Sequence, residues 1–302
     1  MDAKEFFSKG WPTRLAFYLG KYLPWRAGET VAKMAARTLA TLKPEIYWVT
    51  RANLRHVVGP DVSDQALHNL AYEVFCNAAR GYYELFHNVG RGELDLTKFR
   101  PPVYLIPEAH RNIKEALDSG RGLFVVGCHM SNFDLAGAAL AHYMSIQAQA
   151  LSLADPTPGF ELFNRLREEG GWGEITPICP EALRKAMRRL QDGGVVVTGG
   201  DRPTGKGDAP VEFFGVTAYL PAGYIRIPMR TDSLVITLAV MYEDDAYWIH
   251  TSAPMEMLRT GDRERDVVVN VQRVLADFEA FIRRHPEQWM MFVPVWREGN
   301  CE

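Results

Sequence analysis

The chain has 302 residues, of which 47% are hydrophobic, 11% aromatic and 24% charged, a balance that excludes a disordered protein and fits a folded one with a sizeable core. Its net charge of −3 argues against a nucleic-acid partner, and no apolar run reaches the roughly 18 to 20 residues that cross a bilayer. The four cysteines, Cys76, Cys128, Cys179 and Cys301, have neither metal-ligand spacing nor the density of a disulfide framework, which suggests a reducing, cytoplasmic setting.

In chain order, the first feature is an uneven charge. Residues 1–58 hold ten Lys/Arg against four acids, so this segment is +6 and the remainder −9. A basic end on a mildly acidic body suits docking to an anionic membrane surface. No signal peptide is visible, because the N-terminus lacks a continuous apolar core and a small-residue cleavage site. Trp11, Leu15, Tyr18, Leu19, Tyr22 and Leu23 recur at helical spacing, flanked by Lys9, Arg14, Lys21 and Arg26. That is the composition of an interfacial anchor, and equally of a helix packed on the protein's own core. Further helices are predicted over 28–42, 44–57 and 63–87, the last capped by Ser63 with Asp64 in its first turn.

After Pro101-Pro102 the period changes. Helices are predicted over 108–119, 133–144, 159–169, 181–191, 221–230 and 262–284. Strands are predicted over 122–127, 146–153, 174–178, 194–198, 233–242 and 246–251. The runs at 122–127 and 194–198 are continuously apolar, as strands buried on both faces are. A glycine-rich polar loop joins the latter to an apolar stretch, 211–223, that suits the lining of an acyl channel or plain core. The alternation predicts an α/β fold: a mixed, mostly parallel sheet layered by helices. Residues 1–90 form a helical membrane-docking cap, not an independent domain, on a core spanning 91–302.

The segment that carries chemistry is Gly127-Cys-His-Met-Ser-Asn-Phe-Asp134. It leaves a buried strand and opens a helix, where open α/β sheets bind ligands. His129 is a candidate general base, and Asp134, five residues on, can fold back to an imidazole nitrogen and fix its tautomer. Ser131 lacks a nucleophile elbow, Cys128 points away from its neighbour, and no ligand cluster suggests a metal. The arrangement therefore suits direct attack by a substrate hydroxyl without a covalent enzyme intermediate, though a histidine at a helix start also has purely structural uses. A second patch, Thr198-Gly-Gly-Asp-Arg-Pro-Thr-Gly-Lys-Gly207, should open at the same sheet edge. Its Arg202 and loop amides suit an oxyanion or an anionic head group.

With these residues the chain resembles the lysophospholipid acyltransferase superfamily, in the branch of the lipid A biosynthesis acyltransferases and the phosphatidylinositol mannoside acyltransferases. The hallmark His-x4-Asp is His129 to Asp134. Arg51-Ala-Asn-Leu54, Phe163-Asn-Arg-Leu-Arg-Glu168, Asp201-Arg202 with Val211-Glu-Phe-Phe-Gly215, and Pro286-Glu-Gln-Trp289 with Trp296-Arg297 are similar to the family's other blocks, in order. The resemblance implies His129 as base, Asp134 as its partner, and Asp201 and Arg202 shaping the acyl-transfer site. It also implies Arg165 or Arg167 binding an anionic part of a substrate. Phe133, and Phe213 and Phe214 of the apolar stretch 211–223, are candidates to meet the acyl chain. The donor would be acyl-CoA or acyl carrier protein, the acceptor a membrane lipid hydroxyl at the cytoplasmic face, with no metal or redox cofactor. Phe133-Asp134 replaces the Trp-Glu usual in the lipid A enzymes, and the Asp-Arg pair is closer to the phosphatidylinositol mannoside branch. A hydrolase with the same dyad, or a non-catalytic lipid-binding protein, remains an open reading.

Overall fold

The computed structural model describes residues 10–92, 95–205 and 207–296. Lys9, Lys206, Arg297 and Cys301, which fall in segments singled out above, lie outside these, as does the side chain of Trp11.

Among the described residues four helices come first: α1 (Gly10–Tyr22), α2 (Trp25–Leu42), α3 (Glu45–Val58) and α4 (Asp64–Asn88). The hydroxyl of Ser63 accepts the Ala66 amide at 3.2 Å and so caps α4, satisfying one orphan donor. Along α2 the buried residues are Gly28, Ala32, Ala36 and Ala40. This i, i+4 stripe of small residues lets α2 lie close on α4, and a Cβ at Gly28 would sit 1.9 Å from the Tyr83 ring. Tyr47, Leu54, Leu67, Ala71 and Phe75 close the core of this region. Among the described residues no helix is long and apolar enough to cross a membrane.

The remaining elements alternate. They are β1 (Val103–Leu105), α5 (Pro107–Asp118), β2 (Leu123–Gly127), α6 (Phe133–Tyr143), β3 (Ala148–Ser152), α7 (Pro158–Glu169), β4 (Gly173–Pro177), α8 (Pro180–Gln191) and β5 (Val195–Gly199). An antiparallel hairpin follows, β6 (Asp208–Phe213) with β7 (Val216–Pro221). Then come α9 (Arg226–Thr231), β8 (Leu234–Glu243), β9 (Ala246–Thr251) and α10 (Arg263–Arg284). The main sheet has the order β1-β9-β8-β2-β5-β3-β4. All its pairs are parallel except β8 with β9, so the expected mixed, mostly parallel sheet is present.

One face of β2, through Leu123 and Val125, packs with Val195, Ile236 and Ile113 toward α5. The other, through Phe124 and Val126, packs with Ala182, Val196, Phe278 and Trp289 toward α8 and α10. Strands covered on both faces read as unbroken apolar runs, which is why 122–127 and 194–198 were legible. The helix expected over 221–230 is instead the end of β7, a 3-10 turn at Gly223–Ile225 and the short α9. Pro221 ends the strand, whose N–H positions a proline cannot extend.

Candidate active site

Strands β2 and β5 are neighbours, with Gly127 directly opposite Gly199. Two residues beyond each glycine stand His129 and Asp201, so parallel register brings together side chains 72 positions apart. Asp201 Oδ1 accepts from His129 Nδ1 at 2.6 Å. Its Oδ2 accepts the His129 backbone N–H at 2.9 Å and the Trp289 indole N–H at 2.9 Å. The carboxylate is fully buried. Burial alone would push its pKa up, but the charge of His129 and these hydrogen bonds outweigh that and hold it below the ordinary carboxylate value. With Nδ1–H committed to Asp201, Nε2 is the nitrogen left to take a proton. Glycine at 199 gives the ring its place: a Cβ there would lie 2.9 Å from His129 Cε1.

The turn that carries His129 is backbone-strained and held from two sides. Ser131 sits at φ 51°, a left-handed conformation uncommon outside glycine. Its N–H donates to the Gln288 carbonyl at 2.8 Å, the Met290 N–H donates to the His129 carbonyl at 2.8 Å, and Met130 pairs with Trp289 in an isolated bridge. From the other side, Asn132 caps α6 by accepting the Leu135 N–H at 3.1 Å. Its amide donates to the Gly81 carbonyl at 3.0 Å and to Glu84 Oε2 at 3.3 Å. The blocks at 286–289 and 51–54 thus act as scaffolding. Trp289 supports Asp201 directly, and the Asn53 side chain bonds the Met291 and Val293 carbonyls and the Val295 N–H.

Asp134 is not where its spacing predicted. Its carboxylate accepts from Arg167 Nε at 2.6 Å, its backbone carbonyl accepts from Trp172 Nε1 at 3.0 Å, and the imidazole nitrogen it was expected to hold belongs to Asp201. The reason is local. Asn132 starts α6, so Asp134 rides on the first helical turn facing α7, while His129 is turned toward β5 by its own backbone bond to Asp201. Phe133 meets the His129 ring edge-on at 5.3 Å. Cys128 is buried, and burial pushes its thiol well above the ordinary range, away from nucleophilic chemistry.

A cavity of about 540 Å3 opens beside His129. Phe133, Arg167 and Arg202 line it, and Arg202 lies over the Phe160 ring at 5.4 Å from its centroid. Arg165 is exposed and off the cavity. Phe213 and Phe214 are also off it. They are core residues, packed with Trp289 and Trp296, because the inward face of the β6–β7 hairpin is turned to α10. Along the sheet face the cavity is lined by Leu123, Val125, Val195, Val197 and Ile236, and Leu140 and Ile146 also line it. The small side chains of Gly137, Ala148 and Ala150 leave it room. Trp172 walls it by lying on Gly137, where a Cβ would meet the indole at 2.0 Å. Sequence reading missed Trp172, Trp289 and Tyr224 as site residues. Trp289 stood in the C-terminal block without a role, and no motif marked Trp172 or Tyr224.

The chain matches the model of the bacterial lipid A biosynthesis acyltransferase family over residues 13–298. It is 25% identical over 185 residues to the phosphatidylinositol mannoside acyltransferase of Mycolicibacterium smegmatis, covering 60% of this chain and 59% of that protein. To the protein of the same name from Mycobacterium tuberculosis it is 24% identical over 189 residues, covering 61% and 58%. The match thus spans about three fifths of these relatives' length.

Proposed function

Because the chain belongs to the bacterial lipid A biosynthesis acyltransferase family, we propose that it is a membrane-associated O-acyltransferase that moves a fatty acyl chain from a thioester donor, acyl-CoA or acyl carrier protein, to a glycolipid or phospholipid hydroxyl. The observation that carries this reading is the 2.6 Å His129–Asp201 contact, with His129 lining a mostly apolar cavity. In this mechanism the acceptor hydroxyl gives its proton to His129 Nε2 as its oxygen attacks the thioester carbon. Asp201 stabilises the imidazolium so formed. The tetrahedral oxyanion is held by Arg202 and the amides of its loop. Collapse breaks the carbon–sulfur bond, and the proton returns from His129 to the departing thiolate. The acyl tail lies along the sheet face, where each buried methylene is worth ~0.8 kcal/mol. Asp134 acts by fixing Arg167 at the cavity wall, toward an anionic part of the acceptor.

The protein sits on the cytoplasmic leaflet through residues 1–90. In support, α1 and its neighbours expose Leu15, Tyr18, Leu19, Tyr22, Met34, Leu42 and Trp48 beside Arg14, Lys21, Arg26 and Lys43, the mix that favours an anionic interface. The mannoside relatives favour a phospholipid-based glycolipid as acceptor. The test is mass spectrometry of lipid products after incubation with palmitoyl-CoA and a membrane lipid extract. An acylated glycolipid supports the reading, and free fatty acid as sole product turns it into a hydrolase.

A further inference from the structure

Helix α4 carries Asn77, Arg80 and Glu84 on one face, at the i, i+3, i+7 spacing that aligns them. On its other side Tyr83 meets α2 at Gly28, and Phe86 meets α1 at Gly20. None of the three polar residues lines the cavity, yet two of them reach the segments that hold the dyad. Glu84 Oε2 accepts from the Asn132 amide at 3.3 Å and from the Tyr247 hydroxyl. Asn132 directly follows the strained Ser131, and its amide has a second acceptor on α4, the Gly81 carbonyl at 3.0 Å. The Asn77 amide donates to the Glu287 carbonyl at 2.7 Å, in the 3-10 turn Pro286–Gln288 that leads into Trp289. Arg80 stands between the two. Its Nη2 donates to Asn77 Oδ1 at 2.9 Å, and its guanidinium lies over the Tyr242 ring at 3.7 Å from the centroid.

This is a poor way to stabilise a helix. Glu84 is fully buried, and its Oε1 faces Arg80 Nε across 3.7 Å with neither atom hydrogen-bonded. Burial on these terms is costly for a carboxylate and raises its carboxyl to about 7. What a buried polar network does supply is a fixed geometry. The choice of side chain at position 132 points the same way. Serine or aspartate caps a helix as well as asparagine does. A serine hydroxyl ends one bond short of an asparagine amide, and a carboxylate has no proton to donate. Only the amide both accepts the Leu135 N–H and donates to α4.

We propose that Glu84 and Asn77 are positioning residues for acyl transfer, through which α4 fixes both halves of the dyad. Glu84 acts through Asn132 on the turn that carries His129. Asn77 acts through the Glu287 carbonyl on the turn before Trp289, whose indole holds Asp201. The assignment rests on the acyl-transfer reading above and adds to it what keeps the imidazole and the carboxylate in register. Neither residue meets a substrate, so their loss moves turnover and not binding.

The experiment measures steady-state transfer from palmitoyl-CoA to a membrane lipid extract by the full chain, with thermal melting of every variant. Asn132→Ser keeps the cap and cuts both bonds to α4. It should lower kcat by about tenfold or more, the scale of a small misplacement of a reacting group, and leave KM within about twofold. Glu84→Leu should lower kcat by about fivefold. Glu84→Gln, whose amide oxygen still accepts from Asn132, should recover most of that loss. In the Asn132→Ser background, Glu84→Leu should add less than about twofold, because its effect runs through the missing amide. If Asn132→Ser melts below the assay temperature, Asn77→Ala decides instead, with kcat lower by about threefold or more at unchanged KM. Turnover by a folded Asn132→Ser or Asn77→Ala variant equal to that of the unaltered chain overturns the assignment and leaves acyl transfer standing. So does a loss that appears in KM alone, or a Glu84→Leu effect that multiplies in full on that of Asn132→Ser. Absence of transfer by the unaltered chain removes the acyl-transfer reading, and this one with it.

Discussion

Replacing Asp201 with Asn isolates the contribution of the carboxylate, because volume and shape are kept. Asp201 accepts three hydrogen bonds, from His129 Nδ1, the His129 backbone N–H and Trp289 Nε1. An amide offers one oxygen and one donating NH2, so it cannot satisfy all three. If its oxygen stays with the backbone and indole donors, its NH2 faces Nδ1. The imidazole must then carry its proton on Nε2, the nitrogen required as base. If it flips, two N–H groups face a donor in a buried site. The first orientation is favoured, since it leaves fewer orphan donors, and it places the wrong tautomer at the cavity. The expected loss is on the order of 10³–10⁴-fold in kcat, as when the orienting carboxylate of a serine-protease triad is so changed. KM should stay within about twofold, because Asp201 touches no substrate. Removing one charge-assisted partner should also cost about 1–3 kcal/mol of stability. Steady-state transfer of a radiolabelled acyl group, with thermal melting as a folding control, reads both. A folded variant that loses less than about tenfold in kcat refutes tautomer control by Asp201.

Three further tests probe the site's supports. Asp134 and Arg167 are mutually bound at 2.6 Å with little exposure, so Asp134→Ala and Arg167→Ala should be non-additive in stability, with a coupling of about 0.5–3 kcal/mol in a double-mutant cycle; simple additivity would mean that the pair does not act as a unit. Burial, only partly offset by Arg80, raises the Glu84 carboxyl from 4.5 to about 7. The folded state therefore holds a proton that the unfolded chain releases, and stability is full below pH 4.5 and declines by about 3 kcal/mol as pH rises to about 7. Glu84→Gln should abolish that slope in denaturant unfolding, and a slope that persists assigns it to another group. Gly199→Ala forces a methyl to 2.9 Å from His129 Cε1 and should lower kcat by at least about tenfold with little change in melting temperature; wild-type turnover would show that the ring has room to move.

The parts of this molecule that sequence reading reached are those governed by local periodicity. Buried strands 122–127 and 194–198 stand out because both faces are covered, and the amphipathic stripe of α10 is plain from Val267 to Ile282. The hairpin 208–221 was blurred into loop and apolar stretch, since its strands alternate over only six residues each. Strand β1, three residues long, is too short to carry a period at all. At the site, His129 was legible from its place after a buried strand, but its partner was not. Spacing favoured the carboxylate five residues away. The pairing of Gly127 with Gly199, a fact of sheet register, chose the one 72 residues away. Phe213 and Phe214 misled for a related reason: an apolar run does not say whether it faces a cavity or a tryptophan.

The central claim is that His129 carries the proton in acyl transfer. Single-turnover transfer of a labelled acyl group to lipid, comparing the unaltered chain with His129→Ala, tests it most directly. The account predicts acylated lipid from the former and a rate lower by at least about 10²-fold from a folded variant. Acylated lipid forming at equal rates from both would contradict it.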